Sequence, residues 1–82
     1  MAVYSILKCF FKRAPTSEQL DTLESAREAF VALADELMDM YTDLHKVMLY
    51  KIETMDDGEI IITDIESMSW HDAFAIARKN GF

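Results

Sequence analysis

Eighty-two residues leave room for one domain, spanning residues 1–82, and a chain this short buries only about 60% of its unfolded surface, so one core must absorb most large apolar side chains. Fifteen Asp and Glu against eight Lys and Arg give a formal net charge of -7, which opposes nonspecific binding to DNA, RNA or anionic lipid; a chain 51% hydrophobic with two glycines and one proline is not composed for disorder. One cysteine permits no internal disulfide, the two histidines lie too far apart for ordinary zinc spacings, and a reducing cytoplasm without metal or cofactor is the expected setting.

The opening run AVYSILKCFF is too short to span a bilayer and is broken by Lys8. No basic region precedes it and no signal-peptidase site follows, so it is expected to belong to the mature fold and not to a membrane anchor. Residues 3–12 read as a strand, rich in β-branched and aromatic side chains and ended by Ala14 and Pro15, although ten residues of mixed spacing also fit a helix. As a strand, Val3, Ser5, Leu7, Cys9 and Phe11 face one way and Tyr4, Ile6, Lys8, Phe10 and Lys12 the other. Both faces are largely apolar, so the second should lie against another subunit, a partner or a helix. Cys9 reads as a small core residue. Lys8, Lys12 and Arg13 make too small a basic patch to hold nucleic acid against the acidic field.

Residues 16–44 show steps of three and four that place Leu23, Ala26, Phe30, Leu33, Ala34, Leu37, Tyr41 and Leu44 in one arc of a helix, flanked by Val31 and Met38. Thr16 as N-cap with Gln19 three residues on, directly after Pro15, predicts the start, and a change of pattern near Leu44 the end. The opposite face collects Glu18, Asp21, Glu24, Glu28, Asp35, Glu36, Asp39 and Asp43, with Arg27 at its border. Several of these acids are like-charge i,i+4 pairs, each unfavourable by about 0.2 to 0.5 kcal/mol, and Asp39 and Asp43 would sit at the negative end of the helix dipole. Such a face either keeps the protein soluble or docks a basic partner.

Residues 45–55 and 59–65 are apolar, β-branched runs around Asp56, Asp57 and Gly58. Asp-Gly between such runs predicts a type I′ hairpin with Met55 opposite Ile60, Glu53 opposite Ile62 and Lys51 opposite Asp64. Ser69 as N-cap with Asp72 at the box position opens a final helix that turns Ala73, Phe74, Ile76 and Ala77 inward, carries Arg78 and Lys79 near its end and stops at Asn80 and Gly81. The expected architecture is α+β, in the order β-α-β-β-α: a three-stranded antiparallel sheet with both helices on one face and the first strand beside the third. That arrangement leaves the first strand at an edge, where self-association to a dimer or an added strand from a partner would cover it.

No serine or cysteine can be set beside either histidine from the sequence, and the acidic turn lacks the calcium-loop spacing, so neither a catalytic nor a metal site is predicted. The leading expectation is a non-enzymatic interaction module, an inhibitor or regulator that docks a basic protein surface through Glu24, Glu28, Asp35, Glu36, Asp39 and Asp43, through the first-strand edge, or through both. Mimicry of nucleic acid is its narrower form. The alternative is an oligomeric small-ligand or nucleotide binder whose interface site gathers Trp70, His71, Arg78 and Lys79; packing reads Trp70 instead as the anchor of the last helix and His71 as solvated.

Overall fold

The β-branched and aromatic stretches do form strands, and the sheet they build has one more member than the hydrophobic pattern announces. In the computed structural model, which describes residues 1–80, β1 (Ala2–Phe10), β2 (Thr16–Leu20), α1 (Leu23–Leu37), β3 (Leu44–Thr54), β4 (Ile60–Ser69) and α2 (Trp70–Lys79) follow in chain order. The strands make one antiparallel sheet in the order β2-β1-β3-β4. The fold is α+β, as expected, with four strands instead of three. None of its helices, among the described residues, is long and apolar enough to cross a membrane.

The extra strand comes from the stretch expected as the first turns of a long helix. Thr16–Leu20 pairs with β1, Lys8 opposite Thr16 through Tyr4 opposite Leu20, and only Leu20 packs against the core. The helix starts at Leu23, where Thr22 is the N-cap and its Oγ1 accepts the Ser25 backbone N–H at 3.1 Å. It ends at Leu37; residues 38–43 are a turn and loop, and Leu44 already belongs to β3. Thr16 therefore caps nothing, and the single rod of residues 16–44 is a strand, a shorter helix and a loop.

This rearrangement overturns the exposed first strand. β1 lies inside the sheet between β2 and β3, so its backbone groups are paired on both sides and no partner strand can be added there. Its neighbour is the first strand of the hairpin, not the second. The edges belong to β2 and β4.

The hairpin forms one residue out of the expected register near its turn. Thr54 faces Ile60, Ile52 faces Ile62 and Lys51 faces Thr63. The reason is the turn: only Gly58 has positive φ, at 87°, whereas a type I′ turn needs two such residues. Gly58 N–H donates to the Met55 carbonyl at 2.9 Å and Met55 N–H to the Glu59 carbonyl at 2.8 Å, the pattern of a three-residue loop whose last residue is left-handed. Lys51 then pairs with Glu53 of its own strand at 3.1 Å and not with Asp64. At Leu49 and Tyr50 a bulge takes up one residue of β4, and beyond it the expected register holds, with Leu49 opposite Glu66 and Val47 opposite Met68.

Both helices cover one face. Ile6, Phe10, Val47, Leu49 and Met68 from the sheet meet Ala26, Phe30, Ala34 and Leu37 of α1 and Ala73 and Ala77 of α2. Alanines at four helix positions allow close approach, and Phe30 fills the remaining volume. Arg27 of α1 reaches Glu66 at 3.9 Å and Lys8 reaches Glu36 at 3.4 Å, both on this face. Cys9, expected in the core, points to the opposite face and is half-buried.

Candidate functional site

Five elements meet at one end of the sheet: β1 finishes at Phe10, α1 at Leu37, β3 begins at Leu44 and β4 passes directly into α2. The connecting loop uses its polar groups internally. Met38 and Asp39 N–H groups close the helix on the Ala34 and Glu36 carbonyls, Asp39 Oδ1 accepts the Tyr41 N–H at 2.9 Å, and Thr42 Oγ1 accepts the Leu44 N–H at 3.1 Å. Arg13 holds Asp43 with two nitrogens, Nε to Oδ2 at 3.2 Å and Nη2 to Oδ1 at 3.3 Å, while its guanidinium lies 3.8 Å from the centre of the Phe10 ring.

The polar groups being so occupied, the large apolar side chains of this end are left outside. Tyr41 is 90% exposed, Met40 83%, Phe11 73% and Trp70 50%. Phe11 stacks on His45 with ring centres 4.7 Å apart, and Trp70 meets Phe74 edge-on at 4.9 Å and His71 at 5.0 Å. Phe11, Met40, His45 and Trp70 border a groove of 250 Å³ floored by Leu37 and Leu44. Trp70 thus does not anchor α2 in the core as its size suggests; Ala73 and Ala77 make the buried contact, and Phe74, expected inward, is exposed.

The opening of α2 follows the sequence reading. Ser69 is the N-cap, and both its backbone N–H and its hydroxyl donate to Asp72 Oδ2 at 3.0 Å. These two bonds, the backbone one foremost, together with the adjacent His71, hold the Asp72 carboxyl below the usual aspartate range. Of the stop at the other end, Asn80 is the C-cap, and Gly81 lies outside the described residues.

The expected acidic face is divided. Glu24, Glu28 and Asp35 fall within about 40° of one another around α1 and are exposed. Among the described residues no cation pairs with them or with Asp39. Glu36 turns toward the sheet to Lys8, and Asp43 is held by Arg13. The ligand-binding alternative is dispersed as well: Arg78 and Lys79 lie about 12 Å along α2 from Trp70 and His71. Lys79 lines a different groove, of 300 Å³, with Arg27, Val31 and Ile76. Among the described residues, no three His, Cys, Asp or Glu side chains gather in a way that could hold a metal ion.

Phe11, Met40, Tyr41 and His45 were not singled out by sequence reasoning, which put Tyr41 on the buried side of a helix that stops before reaching it. The available signal was Asp39 and Asp43, two acids poorly suited to a helix C-terminus. Compared with known protein families, curated proteins and solved structures, the chain matches none of them.

Proposed function

We propose that this protein is a non-enzymatic interaction module, an inhibitor or regulator that seats the aromatic end on a protein partner with basic side chains. The reading is carried by Phe11, Met40, Tyr41 and Trp70 standing exposed together, next to Asp39, which has no cation partner among the described residues. Aromatic residues and methionine are the types enriched in interface cores, and a few such anchors carry most of the affinity of an interface. Asp39 at this end, and Glu24, Glu28 and Asp35 along the outward stripe of α1, supply the charge that steers and orients a basic surface.

Mimicry of duplex nucleic acid is the weaker version. α1 is about 22 Å long and presents three unpaired carboxylates, whereas duplex of that length carries about thirteen charges. A small-ligand site at Trp70 and His71 is also less favoured, because the groove there is below the roughly 300 to 1,000 Å³ of ordinary ligand pockets and the basic end of α2 is remote.

The experiment is capture of the partner from native-cell extract followed by quantitative binding of two variants. Met40→Ala with Trp70→Ala should weaken binding by about thirtyfold or more, the loss of a hot spot. Glu24→Lys with Glu28→Lys and Asp35→Lys should slow association and flatten its salt dependence. Unchanged affinity in both variants rejects the proposal.

A further inference from the structure

The helices cover one face of the sheet, and on the other face the two central strands, β1 and β3, remain largely apolar. Register sets Val3 opposite Ile52, Leu7 opposite Met48, Ser5 opposite Tyr50 and Ile52 opposite Ile62, all turned away from α1 and α2. Antiparallel sheets with one solvated face ordinarily alternate apolar inside with polar outside. In β1 and β3 this alternation is missing, and Val3, Leu7, Met48, Tyr50 and Ile52 are only partly shielded, by each other. We propose that this face is the interface of a homodimer in which two copies pack sheet against sheet.

Area and charge both select a second copy. Nine paired residues along β1, β3 and β4 and five along β2 give a projected footprint of about 500 Å² per copy. With side-chain relief two such faces bury about 1,200 Å² in total, where stable specific interfaces begin. The side chains turned to this face include one cation, Lys46, and one anion, Asp64; Glu66 reaches its border but is paired with Arg27 at 3.9 Å, so the face is close to neutral on a molecule of net charge -7. A basic partner is drawn to the carboxylates elsewhere, whereas two copies of a neutral face meet without repulsion. A two-fold axis midway between Lys46 and Asp64 sets each on the opposite charge of the second copy, the self-complementarity an isologous contact requires.

Local shape agrees with this pairing. The bulge in β4 leaves a depression of 380 Å³ bordered by Lys46, Met48, Tyr50, Asp64 and Glu66. Inside it the Tyr50 hydroxyl donates to the Met48 sulfur at 3.1 Å, a weak acceptor. This interface leaves the aromatic end free and does not depend on its function. Its competitor is the β4 edge, where Ile60, Ile61 and Ile62 are exposed.

Sedimentation equilibrium over about 1 to 200 µM separates these possibilities. The wild type should approach twice the monomer mass, and Met48→Glu, at the centre of the face, should be monomeric with an unchanged circular dichroism spectrum. Lys46→Glu should weaken the dimer about tenfold or more by setting two anions together, and adding Asp64→Lys should restore it. The swap also serves should Met48→Glu not fold. Ile61→Lys, on the helix side of the edge strand, should leave the dimer intact. A monomer throughout the range, indifference to the charge swap, or loss of the dimer in Ile61→Lys alone each overturns the proposal.

Discussion

Asp72 shows how much a single carboxylate can do in a chain with a surplus of them. Its Oδ2 receives two hydrogen bonds from Ser69, so the charged form is favoured in the folded state and the carboxyl lies below its ordinary range. A lowered folded value means stabilisation that is complete above the unfolded pKa, about 3.9, and disappears as pH falls through the folded value. Asp72→Asn should therefore lower the melting temperature at neutral pH, and its difference from the wild type should shrink on acidification below about pH 4; parallel melting curves across pH would contradict the pairing. Gly58 is the other position where one side chain matters. Its φ of 87° lies in the left-handed region, and although a Cβ there would meet nothing within 4 Å, the backbone alone disfavours it. Gly58→Ala should cost about 1 kcal/mol in denaturant unfolding, a loss of turn geometry and not of packing.

Among the elements, the start of α1 separates the sequence reading from the structure most sharply. Thr16 and Thr22 both precede residues of good helical pattern, and Thr16 has the apparent advantage of Pro15 before it and Gln19 after it. The structure assigns the cap to Thr22 and gives Thr16 to an edge strand with one inward apolar residue, Leu20. Thr22→Ala should cost about 1 kcal/mol and Thr16→Ala less than about 0.5 kcal/mol, both read from urea unfolding. Equal effects would move the helix start back toward residue 16. Strand β1, the place of the hairpin at Gly58, though not its turn type or register, and the Ser69–Asp72 cap were legible because each rests on local chemistry: β-branched runs, a left-handed glycine, a reciprocal hydrogen bond. Strand β2 was not, since TSEQL has no apolar alternation and is held only by pairing with β1, a partner at long range. The same omission concealed the aromatic end, because extending the helix to residue 44 wound Met40 and Tyr41 onto a cylinder that ends at Leu37.

For the whole molecule, the order β2-β1-β3-β4 is two β-β-α units back to back across the β1–β3 pair, each closing a hairpin and laying a helix on the same face. Charge is spread over this plan very unevenly. Among the described residues four ion pairs occupy four of the fifteen acids and four of the eight cations, leaving eleven side-chain carboxylates against Lys12, Lys46, Arg78 and Lys79. The pairs lie on partly exposed side chains, and each contributes at most about 1 kcal/mol. Salt weakens these attractions and the wider repulsion together, so the larger set sets the sign. With screening lengths of about 30 Å at 0.01 M and 8 Å at 0.15 M, the mutual repulsion of the unpaired acids is the long-range term that salt removes first. Thermal stability at neutral pH should therefore rise as sodium chloride increases from about 10 to 150 mM. The wild type compared at two protein concentrations separates this field from assembly, since a dimer raises the melting temperature with concentration whatever the salt. A melting temperature that falls with salt would mean that the ion pairs outweigh the excess carboxylates, and the repulsion among Glu24, Glu28, Asp35 and the other unpaired acids would then be too weak to govern stability.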